Sequence, residues 1–421
     1  MSRFLSLLAA SSMIAICNLH FLSRSLELPM EIGDLNNQMA EVGEMFRSST
    51  RGSIWATSTS RSVSEVTKQA DILRVKKRTF NILCTSTNPY IQFGSYKLRC
   101  LDFATWVGQC AGSSVNITTG IEVHEILTHP EIYRQYNFDA TIITKSTPNK
   151  SRRYGLPSWL GKIYIDVVDN YKIRNWRIHE NFTLIFQTER QKEMFPNHEY
   201  RVVEHWYNSY PADMERGDAL PEFLPTISNR TEISLATIWS LKSFEGGCPD
   251  TDGIKDVSYE CIVQDFEIEK WYEKVSRIPN SKVEVLNTMS DPKLGPGKLY
   301  YNLFRQYDAL VALAKNNTHK LLYGNVQRIV SQMRSGVPVL VEVWGPVLQE
   351  FVDKYNYTCT FQREHPDLLY MTFQEAVEMM KDPKIRTQCQ MEGLEIAKDF
   401  SPNQIGKKFL RAVGYDGKFH C

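Results

Sequence analysis

The sequence predicts an α/β protein of two Rossmann-like domains facing across a cleft, preceded by an N-terminal signal or anchor and a flexible stem. Three observations carry this. From Thr79 to Trp206, short β-branched runs alternate with helix-period runs, the pattern of βαβ units and a parallel sheet. From Asn208 to about Arg230 the pattern breaks into a stretch rich in Pro, Asp, Glu and Gly. A second alternating series then begins at EISLATIWS (232–240) and runs almost to the C-terminus.

In chain order, TFNILCTS reads as a strand and GSYKLRCLDFATWVGQC as a helix, with Ser95 placed to accept a first-turn N–H as N-cap. SSVNITTG is a second strand. GIEVHEILTHPEIYRQY is helical until Pro130, which lacks an N–H and clashes with the preceding turn. FDATIITKS, KIYIDVVDNY, FTLIFQT and YRVVEHW are further strands, with TERQKEMF a short helix. In the second series EISLATIWS, SKVEVLNTM and DALVALAK are strands, while DFEIEKWYEKVSR and GPGKLYYNLFRQY are helices.

The segment GNVQRIVSQMRSGVPVLVEVWGP (324–346) reads as loop, helix, buried strand and loop. Its helix runs from about Val326 to Arg334, with Val326, Ile329, Val330 and Met333 on one apolar face. Gly336 suits the helix stop, where a positive φ is needed, and VPVLVEV is a strand of the kind buried in parallel sheets. YTCTFQ is a last strand, TFQEAVEMMKD and KIRTQCQMEGLEIAKDF are helices, and SPNQIGKKFLRAV closes as a capped helix. The resulting boundaries are 76–210 for the first Rossmann-like domain, 211–230 for the linker, 231–400 for the second domain, and 401–421 for the C-terminal helix and tail.

A net charge of +1 over 421 residues gives no field suited to nucleic acid or another polyanion. Residues 1–22 hold one early Arg and an apolar run, and read as a signal peptide or a single signal anchor. Residues 23–75 are polar and rich in Ser, Thr and Arg, a stem or linker. Asn-x-Ser/Thr triplets occur at Asn116, Asn149, Asn181, Asn229, Asn316 and Asn356, where chance gives about two or three. Cys17 lies in the leader. The remaining Cys84, Cys100, Cys110, Cys248, Cys261, Cys359, Cys389 and Cys421 are even in number, which suits disulfides in an oxidising compartment. Cys100 with Cys110 and Cys248 with Cys261 are local pairing options, the connectivity staying open. These features point to the Golgi or ER lumen, as a type II membrane protein or a secreted one.

The loop that opens the Val326 helix aims backbone N–H groups and the positive end of the helix dipole at the strand ends, a ready diphosphate site. YDALVALAK followed by GNVQRIVSQMRSGVPVL, a Gly-Pro loop, a helix carrying Glu350 and the terminal AKDFSPNQI together resemble the donor domain of GT-B glycosyltransferases. The resemblance covers about 340 residues in architecture and about 40 by motif. It implies a nucleotide-sugar donor as co-substrate, a glycan or glycoprotein acceptor, and neither cofactor nor metal. No Asp-x-Asp lies at a strand end, and no Walker loop, Gly-x-Ser-x-Gly elbow or His-Glu-x-x-His is present.

On this resemblance Asn325, Gln327 and Arg328 lie over the diphosphate, Lys242 reaches the phosphates, and Glu350 contacts the donor sugar or ribose. Ser331 occupies the position five before Gly336, where retaining members carry a ribose-binding Glu. That departure leaves open a non-catalytic module of the same fold that binds a glycan or a protein. A catalytic base has to come from the acceptor side. Asp169 and His205 are the candidates at strand ends, with Asp166 and His124 as further options, and Trp206 and Tyr207 are placed to line the sugar site.

Overall fold

In the computed structural model the described residues are 79–86, 96–145, 156–168, 178–206, 224–230, 232–240, 254–264, 281–282, 303–314, 322, 324, 326–362 and 370–421. The first series of strands forms a six-stranded sheet: β1 (Phe80–Thr85), β2 (Val115–Thr118), β3 (Ala140–Thr144), β4 (Lys162–Asp166), β5 (Thr183–Phe186) and β6 (Tyr200–Val202). Every pairing is parallel and the order is β2-β1-β3-β4-β5-β6. All residues of β3 and β5 are buried, because helices cover both faces of a parallel sheet.

A second six-stranded parallel sheet holds β7 (Ile233–Ser240), β8 (Val257–Gln264), β9 (Ser281–Lys282), β10 (Ala309–Ala312), β11 (Val339–Glu342) and β12 (Thr360–Phe361). Its order is β12-β11-β10-β7-β8-β9. Counted from its own first strand this is the doubly wound order of dinucleotide folds. The order reverses between β1 and β3 in one sheet and between β7 and β10 in the other. Such reversals open a crevice at the carboxyl ends of the strands.

The expected strands are present where they fall on described residues, but β8 was not anticipated. VSYECIVQ pairs with β7 over its whole length. The expected first helix also begins differently. A π-helical turn, Lys97–Leu101, precedes α1 (Asp102–Cys110). Ser95, the DFEIEKWYEKVSR helix, most of the GPGKLYYNLFRQY helix, the leader 1–22, the stem 23–75 and most of the linker lie outside the described residues. Among the described residues no helix is long and apolar enough to cross a membrane.

Pro130 separates α2 (Val123–Thr128) from α3 (Pro130–Tyr133), sitting at the start of the second, where its missing N–H is no loss. In the second half, α4 (Gln327–Arg334) ends before Gly336 at φ +79°. After β11 the chain turns at Gly345 (φ +83°) into α5 (Pro346–Tyr355). Thr372 and Glu375 form a capping box on α6 (Phe373–Met380). Asp382 caps α7 (Pro383–Asp399) and Ser401 caps α8 (Pro402–Ala412).

Residues 77–421 form one compact unit. The second sheet has its own core with α4, α5, α6 and α7. Helix α8 instead returns to the first sheet. Its Ile405, Phe409 and Leu410 pack with Phe103 and Trp106, with the Phe103 and Phe409 rings 4.7 Å apart. Trp106 Nε1 donates to Asn403 Oδ1 at 2.8 Å. Gly406 admits this contact, since a Cβ there would lie 2.7 Å from the Trp106 ring.

Disulfides join Cys84 to Cys100, Cys110 to Cys421, and Cys359 to Cys389. The Cys100–Cys110 option is not the one adopted. Both residues lie on one continuous helical stretch, where ten residues span ~15 Å, beyond the ~7 Å Cα reach of a disulfide. Cys261 is also disulfide-bonded, while Cys248 lies outside the described residues.

Candidate functional site

A cavity of about 440 Å³ lies at the carboxyl ends of the strands, lined by both halves of the unit. That volume is in the range that holds a small ligand. The first-sheet wall is Gln187, Thr188 and Glu189 after β5, with Val202, Glu204 and His205 at the end of β6. The opposite wall is Val326 and Gln327 at the start of α4 and one face of α5: Val347, Glu350, Phe351, Lys354 and Tyr355. Phe400 and Lys408 complete it.

His205 is 4% exposed, and neither ring nitrogen has a hydrogen-bond partner. Burial pushes its pKa well below the usual imidazole value, and the charges of Arg99 and Lys145 push the same way. The ring is therefore neutral at pH 7 and faces the cavity.

Its backbone is held by Arg99. The π-helical turn rotates this arginine inward, where it is 3% exposed. Its Nη1 donates to the Glu204 carbonyl (2.9 Å) and its Nη2 to the Val203 carbonyl (2.5 Å). Nε forms an ion pair with Asp166 Oδ2 at 2.8 Å. The guanidinium stacks 4.7 Å from the centre of the Phe409 ring. Cys84–Cys100 fastens the turn to β1. Asp166, a strand-end carboxylate considered as a base, is thus fully buried in an ion pair. Burial pushes its pKa up, and Arg99 pulls it back.

Gln187 Nε2 donates to Asp166 Oδ1 at 3.4 Å, while its Oε1 has no partner. Thr188 Oγ1 is likewise buried without a partner. A buried, unmatched polar atom costs ~1–3 kcal/mol. Four such atoms, with the two of His205, lie along one cavity wall, which is what a wall built to meet a polar ligand requires. Two strained residues lie at the same edge. Lys145 (φ +57°) and Val168 (φ +53°) follow β3 and β4 in the left-handed region. Gln191 holds Val168 there, its Nε2 donating to the Val168 carbonyl at 2.8 Å.

On the other wall, α4 has no side-chain cap and no acidic residue in its first turn. Its positive end therefore reaches the cavity without a carboxylate of its own to offset it. Lys354 Nζ donates to Tyr355 Oη (3.0 Å), which donates in turn to Asp399 Oδ2 (3.0 Å). Burial and then the Asp399 charge raise the Tyr355 pKa. One ion pair bridges the walls, Arg190 with Glu350, whose Oε1 accepts from Arg190 Nε at 2.6 Å, while Lys408 on α8 pairs with Glu204 on the first-sheet side (2.5 Å).

Of the expected site residues, the structure brings His205, Gln327 and Glu350 together at this cavity. Arg328 is exposed on α4 and is not among the lining residues. Ser331 is buried and its Oγ donates to the Gln327 carbonyl at 2.8 Å, so it turns into its own helix rather than into the cavity. Trp206 packs toward Phe103 in the first core (6.2 Å between rings) instead of lining a sugar site. His124 is exposed on α2, away from the lining. Asp169, Lys242, Asn325 and Tyr207 lie outside the described residues. Gln187, Thr188, Lys354, Tyr355 and Lys408 were not anticipated. The spacing of Phe351 and Tyr355 beside Val347 and Lys354 was the available signal on α5.

The neutral, buried His205 makes stability pH-dependent. Its folded pKa lies below the unfolded value of ~6.5, so the unfolded chain takes up a proton that the folded one refuses. This contribution is complete above ~6.5 and is lost as pH falls below it, at up to ~1.4 kcal/mol per pH unit until the folded pKa is reached. Denaturant unfolding at pH 7 and pH 5.5 should show wild type losing about 1 kcal/mol more than His205→Gln. Equal losses would mean that the imidazole is not buried in its neutral form.

No protein-family model matches the chain, and no curated protein is similar to it in sequence. Solved structures align with much of its length. WaaG, a glycosyltransferase involved in lipopolysaccharide biosynthesis, aligns with a TM-score of 0.47 at 12% identity, over 80% of this chain and 100% of its own. The trehalose-6-phosphate synthase OtsA aligns with 0.44 at 11%, over 70% and 75%. The pneumococcal O-GlcNAc transferase GtfA, solved with UDP and GlcNAc, aligns with 0.39 at 11%, over 70% and 60%. Likenesses of this size fix neither an activity nor a substrate.

Proposed function

We propose that the protein transfers a sugar from a nucleotide-sugar donor to an acceptor hydroxyl on a glycan or glycoprotein, within the secretory pathway. The observation that carries this reading is the cavity itself, where an uncapped helix start on one wall faces a buried, neutral, unpartnered histidine on the other. The start of α4, Gln327 and Lys354 receive the diphosphate, with Lys408 at the rim. Gln187 and Thr188 hold the acceptor. His205 takes the proton from the acceptor hydroxyl as its oxygen bonds to the anomeric carbon. The bond from that carbon to phosphate breaks, and the nucleoside diphosphate departs with the electron pair. A base on the acceptor side suits a single displacement with inversion. The triplets and the disulfides support a lumenal setting.

A second reading is a non-catalytic module of the same fold that binds a glycan or a protein. Ser331 turned into its helix and Glu350 engaged by Arg190 favour it, because the first then offers no hydroxyl and the second no free carboxylate to a ribose. Calorimetric titration of the purified protein with UDP and with GDP separates the two. The transferase reading expects one of them to bind, and Lys354→Ala to weaken that binding by ~10–100-fold through loss of a charge-assisted contact. Absence of binding by either nucleotide, with no nucleotide released from a panel of nucleotide sugars, would leave the module.

A further inference from the structure

Four of the six Asn-x-Ser/Thr asparagines fall on described residues: Asn116, Asn181, Asn229 and Asn356, and all four are exposed. Each also lies at the amino end of a strand. Asn116 is the second residue of β2, in register with Asn81 near the start of β1. Asn181 comes just before β5, whose Thr183 Oγ1 donates to Glu199 at the foot of β6. Asn229 precedes β7, and its neighbour Ser228 donates to Asp308 Oδ1 (2.9 Å), which immediately precedes β10. Asn356 closes α5, and its neighbour Tyr357 donates to the carbonyl of Val339, the first residue of β11, at 2.6 Å.

All strands of each sheet are parallel. Their amino ends therefore share one edge, opposite the carboxyl edge that carries the cavity. Asn356 has φ +49°, a conformation that asparagine tolerates, so that residue has a backbone reason of its own. The other three have positive-φ values nowhere in their favour.

We propose that these four asparagines carry N-linked glycans, all on the edges facing away from the cavity. In the reaction the Asn Nδ2 bonds to the anomeric carbon of an oligosaccharide carried on a lipid diphosphate. The carbon–oxygen bond to the diphosphate breaks, the lipid diphosphate leaves with the electron pair, and the amide gives up one proton. The disulfides Cys84–Cys100, Cys110–Cys421 and Cys359–Cys389 support an oxidising compartment, where this donor class is used. Asn116 lies on β2, an edge strand of its sheet. A glycan there also blocks pairing of that edge with another chain. The inference does not depend on the transferase reading.

The test uses the whole protein made in a eukaryotic cell, released with peptide N-glycosidase in heavy-oxygen water and mapped by mass spectrometry. The expected result is heavy-oxygen aspartate at two or more of the four positions, with the Asn→Gln variant at each labelled position removing one step from the gel shift. Unmodified asparagine at three or all four positions overturns the proposal, as does recovery of the chain from the cytosol with free thiols. Mapping wild type keeps the test valid where a variant fails to fold.

Discussion

Replacing His205 with glutamine is expected to lower kcat for sugar transfer by ~100- to 10,000-fold, the range for loss of a positioned general base. Nucleotide affinity should change little, because the proposed donor contacts lie on α4 and α5. Glutamine keeps a polar group of similar length against the same cavity wall, so the loss reports proton transfer rather than collapse. The pH profile gives a second, independent readout. Burial and two nearby cations depress the His205 pKa, so kcat/KM should hold through pH 6.5 and fall only at lower pH. An acid limb at or above 6.5, or a variant within about threefold of wild type, would assign the base elsewhere, with Asp169 next in line.

Arg99→Ala should be the most destabilising single change. It leaves the Asp166 carboxylate buried without a counter-charge and strips the donors from the Val203 and Glu204 carbonyls. Breaking a buried pair from one side costs ~3–5 kcal/mol, a large part of the 5–15 kcal/mol that holds a typical domain folded. Denaturant unfolding should show the unfolding free energy falling by that amount, with the midpoint lowered in proportion. The double variant Arg99→Met, Asp166→Leu should regain much of it, since two apolar groups of matched volume remove the stranded charge. A double variant as unstable as Arg99→Ala would show that the backbone contacts, not the charges, carry the energy. Transfer activity should remain low in both, because the segment bearing His205 loses its anchor.

Arg99 also shows where sequence reading runs short. A basic residue in an amphipathic run reads as a solvent-facing side chain. One extra residue in the π-helical turn rotates the phase and drives it into the core. Nothing in the spacing announces that turn. Cys110–Cys421 is illegible for a different reason: its partners are 311 residues apart, and only the return of α8 to the first sheet makes them neighbours. The parallel strands were legible because β-branched runs such as ATIIT and VLVE must be buried on both faces. By contrast β8 was passed over although Val257, Tyr259 and Cys261 alternate with Ser258 and Glu260. The polar, turn-rich stretch ahead of it masked that period. For Ser331 the departure from an acidic residue was visible, but not its hydrogen bond back to Gln327, since rotamers are set by packing.

The return of α8 has a consequence for the order of assembly. The chain leaves the second half at Ser401 and packs α8 on the first sheet. Cys110–Cys421 pins the end of the segment that follows α8. The C-terminal segment thus belongs, in space, to the half that the chain makes first, and the first sheet completes its core only when the last helix has been made.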